Sequence, residues 1–402
     1  MRKLKTSYVV VLAIILTLFC AVGFFILFKK QQYQNQTQAP LLAQYYLDWD
    51  ISDQKITELA RYNLLILSPS AAERNPDLLF KLKKINPQIK ILASVSASTI
   101  NPEYAKIKDI KFLRLLAERA EKADWYLKNA AGEKITINNN EQVLNVTEYC
   151  SRDKDAQWND YLPHMVTDYF LQKRSWWDGV MYDNAWDSFS WQNQQLDLNK
   201  KTDLAQPQVL DYYWQHGIMQ ILLTTQKLAP NKIVLVNTNI YGVQYNQQVN
   251  GKLMINAFAD NYSWKGLMSR YLPDQYGQQP NIVILNHGDK VQSTFELTSV
   301  LLGNGYYIPD TNYWPADYER KLGAPLGQAQ DMLNSENNQP LPCQVNCSES
   351  VWARQYEKAL VLVNSTNQAE NIYLKDIYLD ANGEKTLWAQ LPARSGKILL
   401  KP

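Results

Sequence analysis

The chain has 402 residues, 46% hydrophobic and 20% charged, which is long enough for more than one domain and too apolar for a disordered chain. A net charge of +2, with no basic run beyond the N-terminus, excludes the electrostatic footprint of a nucleic-acid-binding protein. Four cysteines and three histidines, without the spacing of a zinc or metalloprotease motif, give no reason to expect a metal or another cofactor.

At the N-terminus Arg2, Lys3 and Lys5 precede an apolar run over residues 8–28, closed by Lys29 and Lys30. As a helix this run is about 30 Å long, the thickness of a bilayer core. Large residues continue through Phe24, Phe25 and Phe28, unlike a cleaved signal peptide. We therefore expect a cytoplasmic stub and single-pass signal-anchor over 1–30, a Gln/Asn-rich tether over 31–40, and a body outside the cytoplasm, periplasmic or extracellular. Cys343 and Cys347 sit close enough in the sequence to pair in such a compartment, and Cys150 reads as a buried thiol.

Short apolar runs then alternate with helical patterns. Residues 41–47, 63–67, 90–94, 179–183, 232–236, 253–258, 281–285 and 306–308 read as strands, and 143–147 is a further apolar run. Helices are expected over 53–62, 76–85, 109–123, 158–173, 207–228 and 293–302, the first capped by Ser52 and two opened by Pro76 and Pro207. Strands that are apolar on both faces and leave into polar loops are those of a parallel sheet. About eight repeats predict a (β/α)8 TIM-type barrel over 41–330. A doubly wound open sheet is the alternative, against which no G-x-G-x-x-G or Walker motif appears. Residues 331–349 read as a polar linker, and 350–402, with strands but no helices, as a small all-β sandwich.

Within this pattern the stretch from Trp176 to Asp187 concentrates chemistry: a buried strand, Gly179 to Asp183, set among tryptophans and acids. Side chains alternate along a strand, so Asp183 and Met181 face the barrel interior and mouth while Val180 and Tyr182 face the helices. Acids at strand exits on the C-terminal face are the candidates for glycoside cleavage, which uses two carboxylates across a cleft. We assign catalysis to Asp183, opposed by Asp260 or Glu148. Substrate contacts are assigned to Asp48, Trp49, Asp50, Trp125, Asn184, Trp186, Asp187, Asn237, Asn239, Asn256 and Asp310. Tryptophans offer flat apolar faces to sugar rings, and amides and acids hold hydroxyls. Each such acid also reads as a helix cap or loop residue, and each tryptophan as core.

The chain resembles hypothetical glycoside hydrolase family 15, a group of TIM-barrel hydrolases distinct from the glucoamylases. The likeness rests on Tyr45-Tyr46 with Trp49-Asp50, on residues 89–93, 144–150 and 158–163, on Trp177-Asp178-Gly179-Val180 through Asp183-Asn184-Ala185-Trp186-Asp187, and on residues 301–306 and 360–364. The resemblance implies a barrel with a C-terminal β-sandwich and glycosidase activity. On the strand matched by residues 251–258 the family pattern carries a glutamate where this chain has Ile255, followed by Asn256. The expected function is a membrane-anchored glycoside hydrolase acting on an extracellular or envelope polysaccharide or oligosaccharide. The alternatives are a catalytically inactive glycan-binding barrel or envelope scaffold and, more remotely, a metal-assisted hydrolase or lyase.

Overall fold

The computed structural model describes residues 39–402 apart from 138–139, 155, 173–175, 193–195, 199–205, 238–242, 259–262, 277–281, 288–292, 311–314, 337–338, 343–346 and 381. The apolar run over 8–28 and its tether lie outside the described residues, as do Asn239, Asp260 and Cys343. Among the described residues no helix is long and apolar enough to cross a membrane.

The chain enters the barrel at β1 (Ala43–Tyr46), followed by α1 (Asp53–Leu59) and β2 (Leu64–Leu67). Two helices follow, α2 (Pro69–Arg74) and α3 (Leu78–Ile85), and then β3 (Lys90–Ser96). Ser52 and Ser68 cap α1 and α2 through their hydroxyls, and Pro69 opens the first turn of α2, where no N–H is needed. A long insertion comes next. It contains β4 (Thr99–Ile100), α4 (Lys111–Ala123), β5 (Lys128–Asn129), β6 (Thr136–Ile137), β7 (Glu141–Val143) and α5 (Trp158–Val166). The barrel resumes with β8 (Gly179–Asp183) and continues through β9 (Leu196–Asp197), α6 (Pro207–Leu228), β10 (Ile233–Asn237), β11 (Gly251–Met254), α7 (Trp264–Tyr276), β12 (Ile282–Asn286), α8 (Ser293–Leu301) and β13 (Tyr306–Ile308).

Eight of these strands form one parallel sheet in the order β1-β2-β3-β8-β10-β11-β12-β13. The bridge between Leu42 and Tyr307, with the Tyr307 amide donating to the Leu41 carbonyl at 3.0 Å, brings the last strand back to the first. The result is a TIM-like barrel, as expected. Its interior is filled by Ala43, Leu64, Ile66, Leu92, Met181, Leu235, Leu253, Ile284 and Ile308, while Val180 and Tyr182 join the layer between strands and helices. The parity read from the sequence around Asp183 therefore holds. Strand approach is close at the start of β8: a side-chain carbon at Gly179 would fall 2.0 Å from the Ile233 carbonyl oxygen, so only glycine fits.

Three expectations need correction. The apolar run 143–147 is not a barrel strand. Its first residue ends β7, which pairs antiparallel with β4 and β6 in a small sheet of the insertion. The helices α2 and α7 fall where no helix was expected. The expected linker, 331–349, supplies strands β14 (Gln330–Glu336) and β15 (Gln339–Pro342). These join β16 (Val351–Gln355), β17 (Ala359–Asn364), β18 (Glu370–Leu379), β19 (Lys385–Leu391) and β20 (Ser395–Leu400) in one antiparallel sheet of order β15-β14-β16-β17-β20-β18-β19.

The C-terminal unit is thus a single sheet rather than two. The β18–β19 hairpin touches β20 at only one register pair, Leu379 with Leu400. Its Ile372, Leu374, Ala389 and Leu391 nevertheless cluster with Val351, Leu360, Leu362 and Leu399, so the hairpin doubles over to enclose a core of its own. The opposite face packs on α8. A side-chain carbon at Gly396 would lie 1.8 Å from Thr298 Oγ1, and Val361, Val363 and Ile398 join the barrel core.

Asp331 pins the β14 turn. It accepts from the amides of Leu333 and Asn334 at 3.0 Å each, from Asn334 Nδ2 at 2.8 Å, from Ser348 Oγ at 2.7 Å and from Ser350 Oγ. Burial alone would raise its pKa, but these hydrogen bonds outweigh burial and hold it below the usual value. Because the folded-state pKa is depressed, the stabilisation is present above the unfolded value and is lost as pH falls through the folded one. Denaturant titration of wild type and Asp331→Ala should therefore give a stability gap that is full at pH 6 and shrinks progressively below about pH 4. A gap unchanged at acid pH would rule this account out.

Candidate active site

The mouth of the barrel is lined by strand ends that turn polar: Tyr45 near the end of β1, Ser94 and Ser96 on β3, Asp183 at the end of β8 and Asn237 at the end of β10. Three donors converge on Asp183. Tyr45 Oη donates to Oδ2 at 2.7 Å, Asn237 Nδ2 to Oδ1 at 2.6 Å, and the Asn184 amide to Oδ1 at 2.9 Å. Tyr45 reaches across the mouth, since β2 and β3 lie between its strand and β8, and its hydroxyl passes 3.3 Å from Ser94 Oγ. Burial first, and then the negative charge of Asp183, push the Tyr45 phenol up, so it stays a donor at any ordinary pH.

Asn184 sits at φ 50°, the left-handed region that asparagine tolerates better than most residues. This turn lays its amide on Asp183 and sends Nδ2 to Thr99 Oγ1 at 2.9 Å and Ser96 Oγ at 3.2 Å. Ser98 Oγ holds the Asn184 carbonyl at 2.6 Å.

The same hydroxyl of Thr99 donates to Glu141 Oε2 at 2.7 Å. Glu141 opens β7, is half-buried, and is pushed up by burial first, with the Asp183 charge adding and the Thr99 bond opposing. Two carboxylates, Asp183 and Glu141, thus feel each other at the barrel mouth. The sequence reading missed Glu141 because the strand-exit rule inspects the ends of parallel strands, and this residue arrives on an antiparallel hairpin. Its only sequence signal is an acid two residues before the apolar run that starts at Val143.

Of the other assigned acids, Glu148 is exposed. Its backbone carbonyl accepts from Gln157 Nε2 at 2.6 Å, and the neighbouring Tyr149 packs edge-on against Tyr213 of α6 at 4.9 Å. Asp260 lies outside the described residues, as does Asn239. Asp187 is buried, with Gln215 donating to its carbonyl, and its charge acts on Tyr245. Asp310 is half-buried two residues beyond β13. Asn256 is exposed at φ 51° just past β11, and Ile255 beside it is also exposed, in the turn rather than on the strand.

The tryptophans divide. Trp125 is fully buried, its Nε1 donating to the Ser151 carbonyl at 2.7 Å, so it packs the core and offers no stacking face, contrary to its assignment. Trp49 is half-exposed beyond β1. The Arg74 guanidinium lies 5.0 Å over its ring and is itself held by Asp50 and Asp109 at 2.8 Å each. Tyr104 stands 5.9 Å from Trp49, and its phenol is pushed up by burial first and then by the Glu141 charge. Asp48 is exposed beside it. Trp186 is half-buried after β8 and meets the exposed Trp191 at 5.5 Å, ring edge to face. At the opposite end of the barrel Asp178 is bound by Lys83 Nζ and the Ile91 amide at 2.7 Å each, the position of a structural acid. Among the described residues no group of three or more His, Cys, Asp or Glu is placed to hold a metal ion.

A family model described as hypothetical glycosyl hydrolase family 15 matches residues 83–360, well over half of the chain. The chain belongs to this family. The family match spans the insertion that carries Glu141, the strand that carries Asp183 and Asn237 beyond it. No curated protein matches the sequence. Among solved structures the fold is similar to a variant of the family 36 α-galactosidase AgaA from Geobacillus stearothermophilus, in complex with 1-deoxygalactonojirimycin. The TM-score is 0.50 at 12% identity, covering 91% of this chain and 56% of that one. The chain therefore spans little more than half of that enzyme. Amy13B of Eubacterium rectale is similar at TM-score 0.46 and 12% identity, covering 91% and 96% of the two chains. The cyclic α-maltosyl-(1→6)-maltose hydrolase of Arthrobacter globiformis follows at 0.46 and 10%, covering 90% and 99%. The likeness to AgaA, at 12% identity, is one of fold alone.

Proposed function

We propose that this member of the family is a glycoside hydrolase acting on an extracellular or envelope polysaccharide. The observation that carries the reading is the Asp183 carboxylate at the barrel mouth, held by Tyr45, Asn184 and Asn237. Three donors fix the direction of the carboxylate before substrate arrives, so no reorganisation is needed as positive charge develops on the sugar ring. Asp183 then either attacks the anomeric carbon or takes the proton of an attacking water. Trp49 with Tyr104, and Trp186 with Trp191, supply apolar faces for sugar units.

We place the body outside the cytoplasm, tethered by residues 8–28 as a signal-anchor. Cys347 is disulfide-bonded, which supports an oxidising compartment. The test of activity is a hydrolysis screen of the full chain, in detergent, against a panel of polysaccharides and oligosaccharides, reading reducing ends. At least one glycan should be cleaved by wild type and left intact by Asp183→Asn. Binding of a glycan by wild type without any cleavage would favour the inactive, glycan-binding alternative, for which the Ile255 substitution speaks.

A further inference from the structure

Asp183 alone does not complete a glycosidase, because the departing sugar oxygen needs a proton. We propose that Glu141, carried by the hairpin inserted after β3, is the acid that protonates the glycosidic oxygen opposite Asp183. The inference rests on the glycosidase reading and deepens it.

The two carboxylates are joined by a continuous set of hydrogen bonds. Glu141 Oε2 accepts from Thr99 Oγ1, Thr99 Oγ1 accepts from Asn184 Nδ2, and the Asn184 amide donates to Asp183 Oδ1. Proton accounting fixes the direction. Thr99 has one hydroxyl proton and spends it on Glu141, so Ser96, 2.7 Å away, donates to Thr99. Ser96 Oγ in turn accepts from the Thr99 amide at 3.1 Å and from Asn184 Nδ2 at 3.2 Å. Moving either carboxylate therefore disturbs the other, and the left-handed turn at Asn184 holds both.

Two other enclosed acids, Glu73 and Asp331, differ in a decisive respect. Glu73 is engaged at both oxygens, by the Phe112 amide at 3.2 and 3.3 Å and by Tyr169, and Asp331 accepts five hydrogen bonds. Among the described residues Thr99 is the one donor to Glu141, and it engages Oε2. Oε1 is left to carry a proton and to meet a substrate oxygen. The titratable groups that share its surroundings are Asp183 from β8, Tyr45 from β1 and Tyr104 from the short helix after β4. All three are acidic groups, and among the described residues none offers Glu141 a positive charge that would favour the ionised form. Burial first, and then the Asp183 charge, raise Glu141 above the ordinary carboxylate value against the opposing Thr99 bond, so its protonated form persists to higher pH than that of a free glutamate.

In the step itself the Glu141 O–H bond breaks and its proton goes to the glycosidic oxygen. The bond from the anomeric carbon to that oxygen breaks, its electron pair stays on oxygen, and the leaving sugar departs as an alcohol. The anomeric carbon accepts an electron pair from the Asp183 carboxylate, or from a water whose proton passes to Asp183. In the first case a water later opens the glycosyl ester, giving its proton to the Glu141 carboxylate and restoring both groups.

The test compares the full-length wild type with Glu141→Gln, Asp260→Asn and Glu148→Gln. The substrates are the glycan cleaved in the screen and the matching 2,4-dinitrophenyl glycoside, whose leaving group needs no proton. Glu141→Gln should lose about 10²–10⁴-fold in kcat/KM on the glycan, and less than about tenfold on the dinitrophenyl glycoside. It should also lose the alkaline limb of the pH profile, along which rate falls as the acid ionises. The other two variants should keep that limb. Thr99→Val, which removes the bond that lowers Glu141, should move the limb to higher pH, as expected of a positioning residue. A Glu141→Gln variant that cleaves the glycan at the wild-type rate with the limb intact overturns the assignment while leaving the glycosidase reading standing. The same holds if it loses both substrates equally, or if Asp260→Asn shows the acid signature instead. A wild-type chain that cleaves no glycan overturns both readings.

Discussion

Asp183→Asn is expected to lower kcat/KM on the cleaved glycan by at least about 10³-fold while leaving the thermal midpoint within a few degrees of wild type. The reason is the particular set of partners. An amide placed with its oxygen at the Oδ1 position still accepts from Asn237 Nδ2 and the Asn184 amide. Its nitrogen then faces the Tyr45 hydroxyl, which accepts that bond and turns its own proton to Ser94 Oγ, 3.3 Å away. Every hydrogen bond is kept and no volume changes, so the fold has no reason to weaken. What disappears is the negative charge and the nucleophilic oxygen pair. Tyr45→Phe should be milder, about 10–100-fold, because it removes one hydrogen bond to a charged group, about 1.5–3 kcal/mol, and leaves the carboxylate itself in place. Initial rates and thermal melts on the three proteins check both statements. Equal activity in wild type and Asp183→Asn would remove Asp183 from the chemistry.

The sequence carried the barrel further than it carried the site. Gly179–Asp183 was legible because four buried residues ending in an acid have few structural solutions, and the alternation of Met181 and Asp183 against Val180 and Tyr182 follows from strand geometry. The long helix Pro207–Leu228 was legible from its opening proline and unbroken pattern. Trp264–Tyr276 was not, since the sequence around Gly266 and Pro273 is a poor helix former, and it is Leu267, Met268, Tyr271 and Leu272 that pack this helix into the core. Trp125 shows the limit of composition. A tryptophan near a polar loop suits either a sugar or a core, and a carbonyl from Ser151 decides for the core. Glu141 shows the limit of position. Its partner Thr99 lies on another strand of the inserted sheet and Asp183 lies beyond the insertion, so nothing local marks it as part of the mouth. Tyr45 is hidden likewise, because its reach across two strands to Asp183 exists only once the sheet has curled.

The largest expected loss of stability falls far from this mouth, at Arg354. This buried residue on β16 donates through Nε to the Gly327 carbonyl at 2.9 Å, through Nη1 to the carbonyls of Leu301 and Gly303, and through Nη2 to Asn304 Oδ1 at 2.7 Å. Its guanidinium lies 5.5 Å from the centre of the Tyr356 ring, whose hydroxyl donates to the same Leu301 carbonyl at 2.6 Å. One planar fork thereby ties the C-terminal sheet to the end of α8, immediately before the strand that closes the barrel. Arg354→Met fills much of the volume but leaves the Gly303, Gly327 and Asn304 oxygens without this donor, a loss of about 3–5 kcal/mol. Arg354→Lys should recover less than half of it, because a single ammonium cannot present donors in the geometry of the fork. Denaturant unfolding followed by tryptophan fluorescence should show the midpoint moving down in the order wild type, Lys, Met. If instead Arg354→Met unfolds within about 0.5 kcal/mol of wild type, the junction is held by the apolar contact of Val361, Val363 and Ile398 with α8 and the fork adds nothing.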